Sequence, residues 1–90
     1  MLAQSKAIYK YPISVGGNSI ELPSFHNFIH VGHQDGLLKV WAEVVHNSPP
    51  CSAGIYVAAT GEEVPFLYQH IGTVQVGFFM WHVYQIPRGL

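Results

Sequence analysis

Six histidines stand among 90 residues, and three of them, His26, His30 and His33, lie close enough in sequence to hold a metal ion. Three imidazoles could bind zinc and leave a fourth position open, as a catalytic site requires. Their spacing gathers them on one side only if the segment is a helix, with Ser24 as its N-cap. A strand sends His30 and His33 to opposite faces, and Ile29, Val31 and Gly32 favour the strand. No metal site is therefore assigned. Glu62 and Glu63 could serve as acid and base, but adjacent carboxylates in a loop bounded by Gly61 and Pro65 are ordinarily just solvated. Cys51 follows Pro49 and Pro50 without a nucleophile elbow or an assignable base. Ser48 and Ser52 have the character of turn residues. With no phosphate-cradling glycine loop either, no catalytic residue and no cofactor are assigned, and the chain reads as a non-catalytic binding protein.

A binding pocket is better supplied. Trp41, Tyr56, Tyr68, Trp81 and Tyr84 offer flat rings on which a base could stack. Lys39 and Arg88 could balance phosphate charge. Thr60 and Thr73 are hydroxyls beside glycines, placed to bond a polar ligand. The candidate ligand-binding set is Lys39, Trp41, Tyr56, Thr60, Tyr68, Thr73, Trp81 and Arg88. The competing reading makes the aromatics core and subunit interface.

The elements that must position these residues are strands. Residues 36–45 form the longest run of strand formers without a breaker. Leu38, Val40, Ala42 and Val44 share one face, and Leu37, Lys39, Trp41 and Glu43 the other. Before it, 7–13 reads as an edge strand ended by Pro12. Gly16-Gly17-Asn18 reads as a turn, and 19–22 as a short strand returning antiparallel. Residues 25–34 read as a strand, with the helix as the alternative, and Asp35-Gly36 is a tight hairpin turn. Residues 46–53 read as a loop, 54–60 as a strand, 61–65 as a loop and 66–74 as a strand. Gly72 in that strand is a bulge or a close-approach site. Gly77 sits in a turn before a last strand over 78–85, and the tail 86–90 reads as loose.

Six or seven short strands with frequent turns predict one all-β domain over residues 1–90, with its core at about 7–85. The expected architecture is a small antiparallel β-sandwich or barrel.

Composition points to an oligomer. The chain is 49% hydrophobic and 10% charged, against a usual charged share of about 25%. Disorder is excluded. A domain this small buries only about 60% of the surface that its unfolded chain exposes, so part of the apolar excess must cover something else. The last strand strengthens this, since Phe79, Trp81 and Val83 would form one apolar face and Phe78, Met80 and Tyr84 the other. Trp41 is accordingly expected on a covered surface with Lys39 at its edge.

No apolar run approaches the roughly 20 residues of a membrane helix, and residues 1–6 lack the order of a signal peptide. A single cysteine allows no internal disulfide, which fits a reducing cytosol. Four basic against five acidic residues leave no basic stripe for duplex nucleic acid. No membrane partner is expected.

Several short motifs recur in a fixed order: Gln34-Asp35-Gly36-Leu37, Trp41-Ala42-Glu43-Val44, Thr60-Gly61, Ile71-Gly72-Thr73 and Trp81-His82-Val83-Tyr84. With Ile8-Tyr9-Lys10-Tyr11-Pro12-Ile13 and Ile20-Glu21-Leu22-Pro23 ahead of them, the chain resembles, from about Ala7 to Gln85, a family of small tailed-phage proteins without an assigned activity. That family places a histidine after the Thr-Gly pair. Glu62 stands there in this chain, so a role carried by that histidine does not transfer. The resemblance implies a β-rich fold, a bacteriophage source and the cytoplasm of an infected bacterial host. It also implies an accessory protein that antagonises host defence. The expected mechanism is an oligomer that sequesters a cyclic-nucleotide immune signal in aromatic-lined pockets. The alternatives are an inhibitor docked on a host defence protein, such as a CRISPR effector, or a structural virion or assembly protein.

Overall fold

Asp35 and Gly36 take φ of 53° and 78°, the two left-handed positions that a type I′ turn demands. They join strands paired from Gln34↔Leu37 to His26↔Val44. The computed structural model describes residues 5–88 and contains seven strands: β1 Ala7–Pro12, β2 Gly16–Pro23, β3 His26–Gln34, β4 Leu37–Val44, β5 Pro50–Ala59, β6 Gln69–Val76 and β7 Phe79–Ile86. They form two sheets, ordered β1-β4-β3 and β2-β5-β7-β6, with every paired neighbour antiparallel. No helix occurs among the described residues. The all-β expectation and the strand count are borne out, and so is the strand reading of the histidine segment.

The two sheets share one apolar core. Leu38, Val40, Ala42 and Val44 of β4 face Ile20, Leu22, Ala53, Ile55, Val57, Val74 and Val83 of the four-stranded sheet. Each such side chain removed from water contributes about 1.5–3 kcal/mol, and alternation along β4 is what places four of them on one side. The sheets approach most closely where β3 meets β6. A Cβ on Gly72 would lie 2.6 Å from Val31 Cγ2, so only glycine lets the sheets close at that corner. The ladder also shifts register between His70 and Gly72. Gly72 therefore has both of its expected roles, at a bulge and at a close approach.

Several expectations are corrected. β2 does not return along β1; it crosses to the other sheet and pairs with β5. Gly16, at φ 92°, turns the chain out of the first sheet. Asn18 holds that corner, accepting from Ser14 N at 2.9 Å and donating to Ser14 O at 2.8 Å. β5 begins at Pro50, inside the expected loop, and the ladder ends where Pro23 faces Pro50, since neither proline can donate. Phe66 and Leu67 lie in an exposed turn ahead of β6, although their apolarity reads as strand. Phe78 likewise belongs to the β6–β7 turn rather than to β7. The other face of β7 is not apolar throughout, because His82 stands between Met80 and Tyr84. Trp41 is half-buried by its own chain, lying over Gly32 and against His30, with ring centres 5.2 Å apart. Residues 1–4 and 89–90, on which the readings of the N-terminus and the tail partly fall, lie outside the described residues. No helix is long and apolar enough to cross a membrane among those described.

A candidate ligand face under a crossover strap

β5 ends at Ala59 and β6 starts at Gln69, but β7 lies between them in the sheet. Residues 60–68 must therefore cross over β7, and they do so on the outer face, away from the core. The crossover leaves β5 through a tight turn. Glu62 N donates to Ala59 O at 3.1 Å, and Gly61 sits at φ 89°, the conformation that position i+2 of a type II turn requires. Glu62 then anchors the strap to the sheet, accepting from Ala59 N at 3.1 Å and from the Tyr56 hydroxyl. Tyr56 points outward because Ile55 and Val57 on either side are fully buried. Tyr68, at the far end of the strap, packs edge-on against Tyr56 with ring centres 6.2 Å apart.

Beside this anchor runs a row of hydrogen bonds from the start of the strap across β7 to β6. His82 Nε2 lies 2.8 Å from Thr60 Oγ1, and His82 Nδ1 lies 3.1 Å from Thr73 Oγ1. Thr73 Oγ1 is in turn 3.0 Å from His70 Nε2, and the His70 ring packs edge-on against Tyr84 at 5.3 Å. A neutral imidazole has one donor and one acceptor nitrogen, and a hydroxyl has one hydrogen. The row is thus satisfied in two opposite polarities. In one, protons point from His70 toward Thr60, whose own hydrogen is left free. In the other they point from Thr60 toward His70, and the Thr60 oxygen is left free to accept. Thr60 can therefore present either a donor or an acceptor to a ligand without breaking an internal bond.

The strap and the sheet enclose a cleft of about 270 Å³ lined by Ala58, Thr60, Glu62, Val64, His82 and Tyr84. Its charge is set by Glu62. The Tyr56 hydrogen bond, and then the Ala59 amide, hold this carboxyl below its ordinary range. The same hydrogen bond pushes the Tyr56 phenol up, with burial and the nearby carboxylate adding to it. The pair thus keeps its proton on tyrosine and its charge on glutamate. Because the folded value of Glu62 is lowered, its stabilisation of the strap is complete above the unfolded carboxyl range and is lost as pH falls through the folded value. Replacing Tyr56 by phenylalanine should raise the Glu62 titration midpoint toward the ordinary value, as followed by NMR of the side-chain carboxyl. An unchanged midpoint would assign the whole effect to the Ala59 amide.

Of the residues singled out in the sequence, Tyr56, Thr60, Tyr68 and Thr73 come together on this face. Lys39 and Trp41 lie on the outer face of the other sheet, facing Gly32 and His30 of β3. Trp81 points to the inner side of the four-stranded sheet and packs against the core. Arg88 lies beyond the end of β7. Neither cation is among the residues that line the cleft. Among the three clustered histidines, His26 donates to Pro23 O at 2.7 Å. A bulge between Phe28 and His30 leaves His30 on the Trp41 side, while His26 stays opposite Val44. The described residues contain no group of three or more His, Cys, Asp or Glu placed to hold a metal ion.

Tyr84, one of the five rings noted for stacking, completes the face with His70, His82 and Glu62, which the sequence did not mark as ligand residues. A signal for one of them exists. A two-residue turn at Gly77-Phe78 places Thr73 directly opposite His82, whereas counting Phe78 into the strand hides that pairing.

Fold and face together define a small two-sheet β-sandwich with a polar and aromatic surface strapped by its own crossover. The chain belongs to the DUF7352 family, a domain of unknown function, whose model matches residues 4–89. No curated protein and no solved structure matches the chain.

Proposed function

We propose that this protein captures a small planar ligand on the strapped face, without chemistry. The observation that carries the proposal is the Thr60–His82–Thr73–His70 row running beside Tyr84 and Tyr56. It combines aromatic surface with polar groups already oriented by one another, which is how ligand sites fix orientation. The histidines there are engaged with threonine hydroxyls, and Glu62 with a tyrosine and a backbone amide. In the phage setting implied by the sequence resemblance, the ligand is a nucleotide-type defence signal and the protein is its sponge. The ring would lie on Tyr84, and its hydrogen-bonding edge would meet Thr60 and Glu62. Its phosphates would project from the cleft, to solvent or toward a second copy.

The test is a melting-temperature screen against cyclic nucleotides and their nucleosides, followed by native mass spectrometry and recovery of the ligand after heating. A ligand at a hundredfold excess over Kd adds about 2.7 kcal/mol, which for a domain of this size is roughly 10–20 °C in Tm. Tyr84→Ala should weaken binding about 5- to 150-fold, the effect of losing one stacking ring. Trp41→Ala, on the other sheet, should leave it unchanged. If no member of the panel shifts Tm, the sponge reading falls, and docking on a host defence protein or virion assembly takes its place. A ligand recovered in altered form would overturn the non-catalytic reading.

A further inference from the structure

We infer that the β6–β7 hairpin is a self-association surface through which two copies of this chain form a two-fold dimer, each placing Phe78 in a hollow of the other. The inference is independent of any ligand on the strapped face. Gly77 sits at φ 60° and no other residue of the turn has a positive φ, which is the type II′ arrangement. This turn leaves Phe78 fully exposed at the hairpin tip. The next two residues remain open as well, Phe79 at 65% and Met80 at 42%. An apolar hollow of about 340 Å³ lies directly alongside, lined by Ala59, Thr60, Phe78, Phe79, Met80 and Trp81. Its wall is firm, because Phe79 stacks on Trp81 with ring centres 5.9 Å apart and planes 22° apart, and Trp81 packs against the core.

A protruding ring beside a hollow of matching chemistry is complementary to a copy of itself, and adjacency of the two lets a two-fold axis close the pair rather than extend it into a fibre. No ionisable side chain lines the hollow, so docking strips water from no charge there. The area supports the same occupant. Phe78, Phe79 and Met80 offer on the order of 400 Å² of apolar surface per copy. At the roughly 65% apolar content of homodimer interfaces, two copies would bury about 1,200 Å² in total, the lower end of the standard range. Because Ala59 and Thr60 line both this hollow and the ligand cleft, the partner copy would form part of the rim of the candidate ligand site.

Sedimentation velocity on the full chain over a concentration series tests this. The expected result is a monomer–dimer equilibrium with a dissociation constant on the order of micromolar. Phe78→Asp should weaken it by at least about thirtyfold, as for loss of a central aromatic anchor, with Tm of the monomer unchanged because the side chain touches nothing. Phe66→Asp, at the other highly exposed phenylalanine, should leave the dimer intact. The inference is overturned if the wild-type chain stays monomeric throughout, if the Phe78 variant dimerises as well as wild type, or if Phe66 rather than Phe78 controls assembly.

Discussion

Truncating Ile55 to alanine is expected to destabilise the fold by about 2–5 kcal/mol. Ile55 heads the fully buried side chains by volume and lies in the middle of β5, the strand that carries both β2 and β7. A cavity there is bounded by two ladders that resist collapse, so the loss should fall toward the upper part of the range. Domains of this kind have about 5–15 kcal/mol in all, so a large share of the stability would go. Equilibrium urea unfolding should show a lowered midpoint with little change in slope. Leu37→Ala, at an exposed position on β4, should stay within about 0.5 kcal/mol. A loss below about 1 kcal/mol at Ile55 would mean that the two sheets do not share a close-packed core at that level.

The second large effect is expected at Gly72. Its substitution by alanine brings a methyl to 2.6 Å from Val31 Cγ2, well inside van der Waals contact. A β-branched side chain on a strand has little freedom at χ1, so the strain must be taken up by separating β3 from β6. Overpacking of this kind costs about 1–3 kcal/mol. Val31→Ala alone should also destabilise, through the cavity it leaves. Combined, the two changes should be less harmful than their sum, because each relieves the other. A thermal-denaturation double-mutant cycle reads that coupling directly. Strict additivity would show that the corner does not close through this contact.

Those two sites also mark how far the fold was legible in the sequence. Alternation in β4, the Asp35-Gly36 turn and the close-approach role of Gly72 rest on local rules, in which residue type and backbone conformation are tied together. Legibility ended where the outcome depended on distant partners. Nothing local says that Ser19–Leu22 should pair with β5 rather than with β1, because both edges are available until Ile20 and Leu22 find the core of the other sheet. Phe66, Leu67 and Phe78 misled because apolarity was equated with burial, and these side chains lie instead at turns. The candidate face was half legible. Tyr56, Thr60, Tyr68 and Thr73 could be selected as ring and hydroxyl groups. His70, His82 and Glu62 acquire meaning only from the β6–β7 register and from a strap that folds back over β7. Lys39, Trp41, Trp81 and Arg88 were chosen by chemical type, and type does not report which of two sheets, or which face of a strand, a residue occupies.

The exchange of strands between sheets sets an order of events during synthesis. β1 is complete at Pro12, but β4, its ladder partner, is not complete until Val44. β2 is complete at Pro23 and must wait for β5, which ends at Ala59. At about 5–20 residues per second on the ribosome, each early strand spends seconds with no sheet to join. Throughout that interval the apolar side chains of Ile8, Tyr9, Tyr11 and Ile13 have no native neighbours. The β3–β4 hairpin is the first ladder that can form, since both of its strands and their turn leave the ribosome together. The N-terminal strands thus wait for partners made later, β1 for β4 and β2 for β5, and β7 and β6 complete the second sheet after β2 can already have joined it.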